Sequence, residues 1–200
     1  MTMRVLVVYE SVMGNTRQVA EAVAAGVRDA APRACVRCVP AARILAEPAD
    51  ADLVVAGGPT HFLGLPAERT RRLWVDGVLR QDRRAGGPIR LEPWATGPGL
   101  REWFAQLGQP GEGDPELRAG AAGTGGAPPA AAFDTRLDRP MAGSAARRIA
   151  HLLRRHGFRL IDRPEGFVVE DLHGPLRAGE RERAEAWGAR LAAEAGLRVG

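Results

Sequence analysis

Val5-Leu6-Val7-Val8 is an unbroken aliphatic run, and Val19, Ala20, Val23, Ala24 and Val27 follow it at spacings of three and four. An apolar run without polar alternation reads as a strand buried on both faces, while the second spacing places its residues on one side of a helix. Leu53-Val54-Val55-Ala56 repeats the strand signature. Strands covered on both faces and followed by helices call for a parallel sheet between two helix layers. The rest of the chain can be read against these two strands.

Ala34 to Val39 forms a second strand whose alternation is broken and partly polar, as on a sheet edge. Arg43 to Leu45 begins a short helix, and residues 66–83 read as helical around Leu73, Trp74 and Leu79. A further helix over Leu100–Leu107 carries Leu100, Trp103, Phe104 and Leu107 on one face. Gln109 to Pro129 is rich in Gly, Ala and Pro with almost no large apolar side chain, and is expected to be a long mobile connection. Ala130–Phe133 is a short fourth strand, Ser144 an N-cap for a helix carrying Ile149, Leu152 and Leu153, and Gly157 its stop. Phe158–Ile161 alternates like an edge strand, with Phe167–Val169 extending or pairing beside it after the Arg163–Gly166 turn. The last helix runs from about Glu180, with Ala184, Trp187 and Leu191 inward. The expectation is one α/β domain over residues 1–200, a doubly wound parallel five-stranded sheet in the order 2-1-3-4-5. The switch point of that order lies between the first and third strands, so the loops after both meet at one crevice.

The first of those loops, Tyr9-Glu10-Ser11-Val12-Met13-Gly14-Asn15-Thr16, joins a buried strand to a helix start. The first N–H groups of a helix lack intrahelical partners and carry the positive end of its dipole, so Ser11, Asn15 and Thr16 are candidates to hold the phosphate of a nucleotide-like cofactor. The second loop, Gly57-Gly58-Pro59-Thr60-His61-Phe62-Leu63-Gly64, offers a hydroxyl and two flat rings, and the third runs Asp134 to Asp138. Taken singly, each has a plainer reading: capping chemistry, a tight turn, a packing histidine. Their convergence at the strand ends is what marks them as a site.

All 28 cationic side chains are arginine, which excludes a Walker A phosphate loop, a kinase strand lysine and Schiff-base chemistry. The net charge is +4, but the arginines are interspersed with acids, so a nucleic-acid partner is not expected. No apolar run reaches the roughly 20 residues of a membrane helix, and no secretory leader opens the chain, so a cytoplasmic protein without a membrane partner is expected. Cys35 and Cys38 have C-x-x-C spacing, but on a strand residues three apart point to opposite faces, and no second pair completes a zinc site. Two partly buried thiols in a reducing compartment are the expectation.

With these residues in view, the chain resembles the flavodoxin-like family across nearly its whole length, and in particular flavodoxin-domain proteins of actinobacteria. The family's phosphate loop has the form Ser/Thr-x-Thr-Gly-x-Thr, and here it reads Ser11-Val12-Met13-Gly14-Asn15-Thr16, departing at Met13. The missing hydroxyl removes one hydrogen bond, a net effect on the order of 1 kcal/mol. Gly57-Gly58-Pro59-Thr60-His61, Ala132-Phe133-Asp134-Thr135-Arg136 and Gly174-Pro175-Leu176 with Gly179-Glu180 add to the likeness. The resemblance implies FMN as cofactor. Its phosphate would lie on Ser11, Val12, Met13, Gly14, Asn15 and Thr16, with the loop from Pro59 to Leu63 (Pro59, Thr60, His61 and Phe62 above all) flanking the ring and Phe133 to Leu137, first among them Phe133, Asp134 and Thr135, bordering its other side. It implies electron transfer, with a redox partner protein or a small-molecule electron acceptor. The alternatives within the same fold are an NAD(P)H-dependent quinone oxidoreductase and a binding module that has lost FMN. The family often stacks a third-loop tyrosine on the flavin, whereas the only tyrosine here is Tyr9.

Overall fold

A computed structural model describes residues 2–44, 51–61, 64–85 (backbone alone for 81–85), 90–107, 127–139 and 143–196. Strands β1 (Arg4–Tyr9), β2 (Cys35–Pro40), β3 (Leu53–Pro59), β4 (Pro129–Leu137), β5 (Arg159–Leu160) and β6 (Glu165–Val169) make one sheet. Helices are α1 (Asn15–Ala30), α2 (Glu68–Ala85), α3 (Leu100–Gln106), α4 (Ala145–Arg155) and α5 (Glu180–Glu194). All pairings between these strands are parallel and the order is β2-β1-β3-β4-β5, as the sequence predicts.

The sheet has one more strand than expected. β5 pairs with Pro129 and Ala130 of β4, whereas β6 pairs with Phe133–Leu137 of the same strand. Residues 161–164, ending in Pro164, interrupt what is in effect one edge. β3 and β4 also run further than their apolar cores suggest, so that Gly57-Gly58-Pro59 and Asp134–Leu137 are strand rather than loop. The reason is mutual pairing: Gly57 lies beside Phe133, Gly58 beside Asp134 and Pro59 beside Thr135. Between β2 and β3 the described residues hold a 3-10 turn, Ala41–Arg43, in place of the short helix expected from Arg43, and Leu45 lies outside them. The expected connection over 109–129 likewise lies outside the described residues up to 126, and β4 begins at Pro129.

Alternation along the central strands divides the core into two layers. Val5, Val7, Val55, Ala131 and Phe133 face α1 and α5, while Leu6, Val8, Val54, Ala56, Ala130 and Ala132 face α3 and α4. In the first layer Phe133, Phe167 and Trp187 pack edge to face with centroids 5.9–6.2 Å apart. Trp187 keeps its indole N–H satisfied by donating to Asp162 at 2.7 Å. α1 and α5 cross almost backbone to backbone: a Cβ on Gly26 would lie 1.9 Å from the Glu185 carbonyl oxygen, and one on Gly188 would lie 2.2 Å from that of Val23. Cys35 is exposed and Cys38 partly buried on β2, and burial, with Glu21 adding to it, pushes the Cys38 thiol up to about 12. Such a thiol stays protonated and is a packing group.

Candidate functional site

The C-terminal ends of β1, β3 and β4 lie level, with Tyr9 beside Gly57 and Gly57 beside Phe133. The turn leaving β1 is braced internally, since Ser11 Oγ accepts the Gly14 N–H at 3.1 Å and Gly14 takes a left-handed φ of 89°. α1 therefore starts at Asn15 with no side-chain cap and no acid in its first turn. Its leading N–H groups point at the site without partners from their own helix. Thr16 and Thr135 hydroxyls bond each other at 2.8 Å, and since only one hydrogen is used between them, the other remains to be donated. Asn15 Nδ2 donates to the His173 carbonyl at 3.2 Å, which ties the Glu170–Gly179 segment to the start of α1. An acid does lie nearby: Glu92 Oε1 would be 3.2 Å from a Cβ on Gly14, and Arg17 neutralises it through a 2.6 Å ion pair.

Met13, the residue that departs from the family pattern, packs with Trp74 and Leu91 against Val12, Val75 and Ala95. α2 thus covers the turn from outside, and an aliphatic side chain at position 13 is what that contact requires. α2 is in turn anchored by a buried ionic cluster. Arg71, 1% exposed, donates to Glu10 at 2.9 Å and to Glu102 at 3.1 Å, and Glu10 accepts the Leu100 N–H at 2.9 Å. Burial pushes the Glu10 carboxyl up, with Arg71 and the Leu100 N–H pulling against it. Burial raises Glu102 as well, but the Gly99 N–H at 2.7 Å and Arg71 outweigh it and hold this carboxyl below its ordinary value.

At the end of β3, Thr60 is held three ways. Its N–H donates to the Thr135 carbonyl at 2.9 Å, its hydroxyl donates to Asp134 Oδ2 at 3.0 Å, and the same hydroxyl accepts the Ala145 N–H at 2.8 Å. Asp134 Oδ2 also accepts from Ser144 Oγ and the Ala146 N–H, so the α4 N-terminus is capped by the ends of β3 and β4. Ser144 is the cap that the sequence predicts, accepting from Arg147 at 3.3 Å. His61 stacks on Trp74 with centroids 4.7 Å apart, and its Nδ1 is buried without a partner. Burial, then the charge of Arg71, brings its pKa down to about 4, so the ring is neutral near pH 7.

These groups enclose a cavity of about 380 Å³, within the range of small-ligand sites. Ser11, Val12, Met13, Asn15 and Thr16 line one part of it, Pro59, Thr60 and His61 a second, and Thr135 a third. Gly14 shapes the turn from behind. Phe62 and Leu63 lie outside the described residues. Phe133 and Asp134 sit below the cavity: Phe133 fills the space over Gly57, where a Cβ would be 2.0 Å from its ring, and Asp134 is the α4 cap. Arg136 and Leu137 of the expected third loop join the lining, and Trp74, Arg139, Val169 and Leu172, which sequence reasoning missed, complete it. Extension of β4 carries Arg136 and Leu137 there, whereas Trp74 arrives by docking of α2, for which no local signal exists. The lining pairs no nucleophile with a base, and no group of described His, Cys, Asp and Glu residues could hold a metal ion.

An open parallel sheet in this order, with its cavity beside the β1 and β3 ends, defines the class of doubly wound α/β proteins that bind ligands at a switch point. Within that class the chain has the flavodoxin-like fold. It is similar to a flavodoxin from the domain Archaea, at 16% identity and TM-score 0.58 over 97% of this chain and 99% of that one. Flavodoxin 1 from Bacillus cereus aligns at 13% identity and TM-score 0.55, over 95% of this chain and 97% of that one. A WrbA-like flavodoxin from Agrobacterium tumefaciens aligns at 18% and 0.52, over 99% of this chain and the whole of the other. No family model matches the sequence, and no curated protein does. No helix among the described residues is long and apolar enough to cross a membrane.

Proposed function

We propose that the cavity binds FMN and that the protein is a redox protein working through this non-covalently held flavin. The observation that carries the reading is the convergence of an uncapped, acid-free helix start, a hydroxyl pair and an aromatic wall on one cavity. The donor set fits a phosphate. The α1 N–H groups and the spare Thr16–Thr135 hydrogen would hold it, and Arg17 offsets the one nearby carboxylate. The rest of the lining, with the stacked Trp74 and His61 and the aliphatic Leu137, Val169 and Leu172, suits a flat ring. The flavin, when bound, supplies the reversible electron or hydride transfer that no side chain here can perform. The chain's own part is orientation. Ser11 fixes the Gly14 turn, Asp134 holds Thr60 in place, and neutral His61 neither gives nor takes a proton at working pH.

A second reading, a binding module that has lost FMN, is favoured by the Asn15 amide being spent on the His173 carbonyl. Purification without added flavin, followed by an absorption spectrum and release of any bound compound, separates the two. A yellow protein, or one that takes up added FMN, supports the first; a colourless protein that refuses FMN overturns it. Thr16→Ala should weaken FMN binding about fivefold, the equivalent of roughly 1 kcal/mol, with the circular dichroism spectrum unchanged. Equal affinity would show that the phosphate lies elsewhere. If the protein is yellow, reduction of a quinone by NAD(P)H distinguishes an oxidoreductase from an electron carrier.

A further inference from the structure

The charged side chains that line the cavity are both arginines. Of the side chains lining it, the titratable ones are Arg136, Arg139 and His61, and His61 is neutral. Arg136 is held over Gly166, where a Cβ would be 2.4 Å from its guanidinium carbon. Arg136 ion-pairs at 3.7 Å with Oδ1 of buried Asp134, whose Oδ2 is committed to Thr60, Ser144 and Ala146, so its charge is offset in part from beneath the cavity and that of Arg139 is not. Arg139 is exposed at the mouth and pairs with no acid among the described residues. The neighbouring carboxylates are engaged by other arginines: Asp138 and Glu170 by Arg177 at 2.9 and 3.6 Å, and Glu92 by Arg17. Position matters too. Thr135 touches Thr16 at the phosphate end, so residues 136–139 lead outward from it, reaching at most about 13 Å along an extended chain.

We propose that Arg136 and Arg139 stabilise the negative charge that a flavin gains on reduction, so that the cavity holds reduced FMN more tightly than oxidised FMN. This rests on the flavin reading above. A hydride donor, such as a reduced nicotinamide, delivers two electrons and a proton to the flavin N5. The product carries one more negative charge than the oxidised form, shared over the N1 and C2 carbonyl edge. A cavity lined with carboxylates would oppose that charge and give a strong reductant. This one accepts it and suits a protein that takes hydride from a weak donor.

The test measures dissociation constants for oxidised and dithionite-reduced FMN, and the two-electron midpoint potential, in the wild-type chain and in Arg136→Gln, Arg139→Gln and the double variant. The wild type should prefer reduced FMN, and each substitution should lower that preference several-fold. A tenfold loss equals a fall of about 30 mV in the midpoint. Arg139→Lys should restore most of the preference, and added salt should erode the Arg139 contribution first. Arg139 is exposed, so its variants remain informative if Arg136→Gln folds poorly. An unchanged ratio in variants that still bind oxidised FMN overturns this inference alone. A wild-type chain that binds FMN in neither state overturns the flavin reading and this inference together.

Discussion

His61 shows how one side chain can carry a measurable signature of the site. It is stacked on Trp74, its Nδ1 has no partner, and its pKa lies near 4 against an ordinary value of about 6.5. The folded state therefore binds fewer protons than the unfolded chain between those values, and stability falls as the pH drops through that window. Urea unfolding at pH 7 and pH 4.5 should show a loss of up to about 2 kcal/mol from this residue. His61→Phe, which keeps the stack, should remove that part of the loss; an equal pH dependence in the variant would mean that the ring is solvated. Not all of this was legible beforehand. The sequence marks His61 as a loop histidine near a strand end, but its low pKa comes from burial and then from the charge of Arg71, on a helix that no local pattern ties to it. Met13 is the reverse case, a mismatch to a motif that becomes intelligible once the cluster with Val75, Ala95 and Leu91 is known.

At the scale of elements, the excursion between β3 and β4 carries a buried ionic cluster beside its apolar contacts. α2 carries Arg71 in a position where Glu10, just past the end of β1, and Glu102 of α3 reach it. Removing one partner strands the others without compensation. Arg71→Met should cost about 3–5 kcal/mol, and Arg71→Met with Glu10→Gln less than the sum of the two single changes. Additive losses in chemical denaturation would show that the two do not interact. The many arginines in α2 hide this from the sequence, because Arg69, Arg71 and Arg72 look alike there and only the fold buries one of them. Strand ends were hidden for a related reason. Pro59 and Asp134–Leu137 carry turn-like or polar residues, and their pairing with each other and with β6 overrides local preference. By contrast the interior runs of β1 and β3, and the α5 face of Ala184, Trp187 and Leu191, could be read directly, since burial on a regular element leaves a period.

For the whole molecule the two faces of the sheet are closed differently. The α1–α5 side depends on reciprocal glycines at the crossing, and Gly188→Ala would drive a methyl group against the Val23 carbonyl. Overpacking of this kind costs about 1–3 kcal/mol or more, so a fall in thermal midpoint is expected, and an unchanged midpoint would mean the helices can separate freely. The topology was legible because the strand order follows from which strands are most apolar, while the glycine crossing depends on a distant pair that no window of sequence contains. The sheet's two ends share a property with a different kind of consequence. On one side β2 is flanked by Pro32 and Arg33 and ends at Pro40. On the other, the outermost strand is broken at 161–164 into two short pieces. A continuous bare edge recruits strands from other molecules and can seed an ordered aggregate. The broken margin offers no template long enough to copy, and β2 exposes Arg37 in mid-strand and closes at Pro40, so crowded solutions of the folded protein should resist fibre growth even though the central strands are among the most fibre-prone segments of the chain.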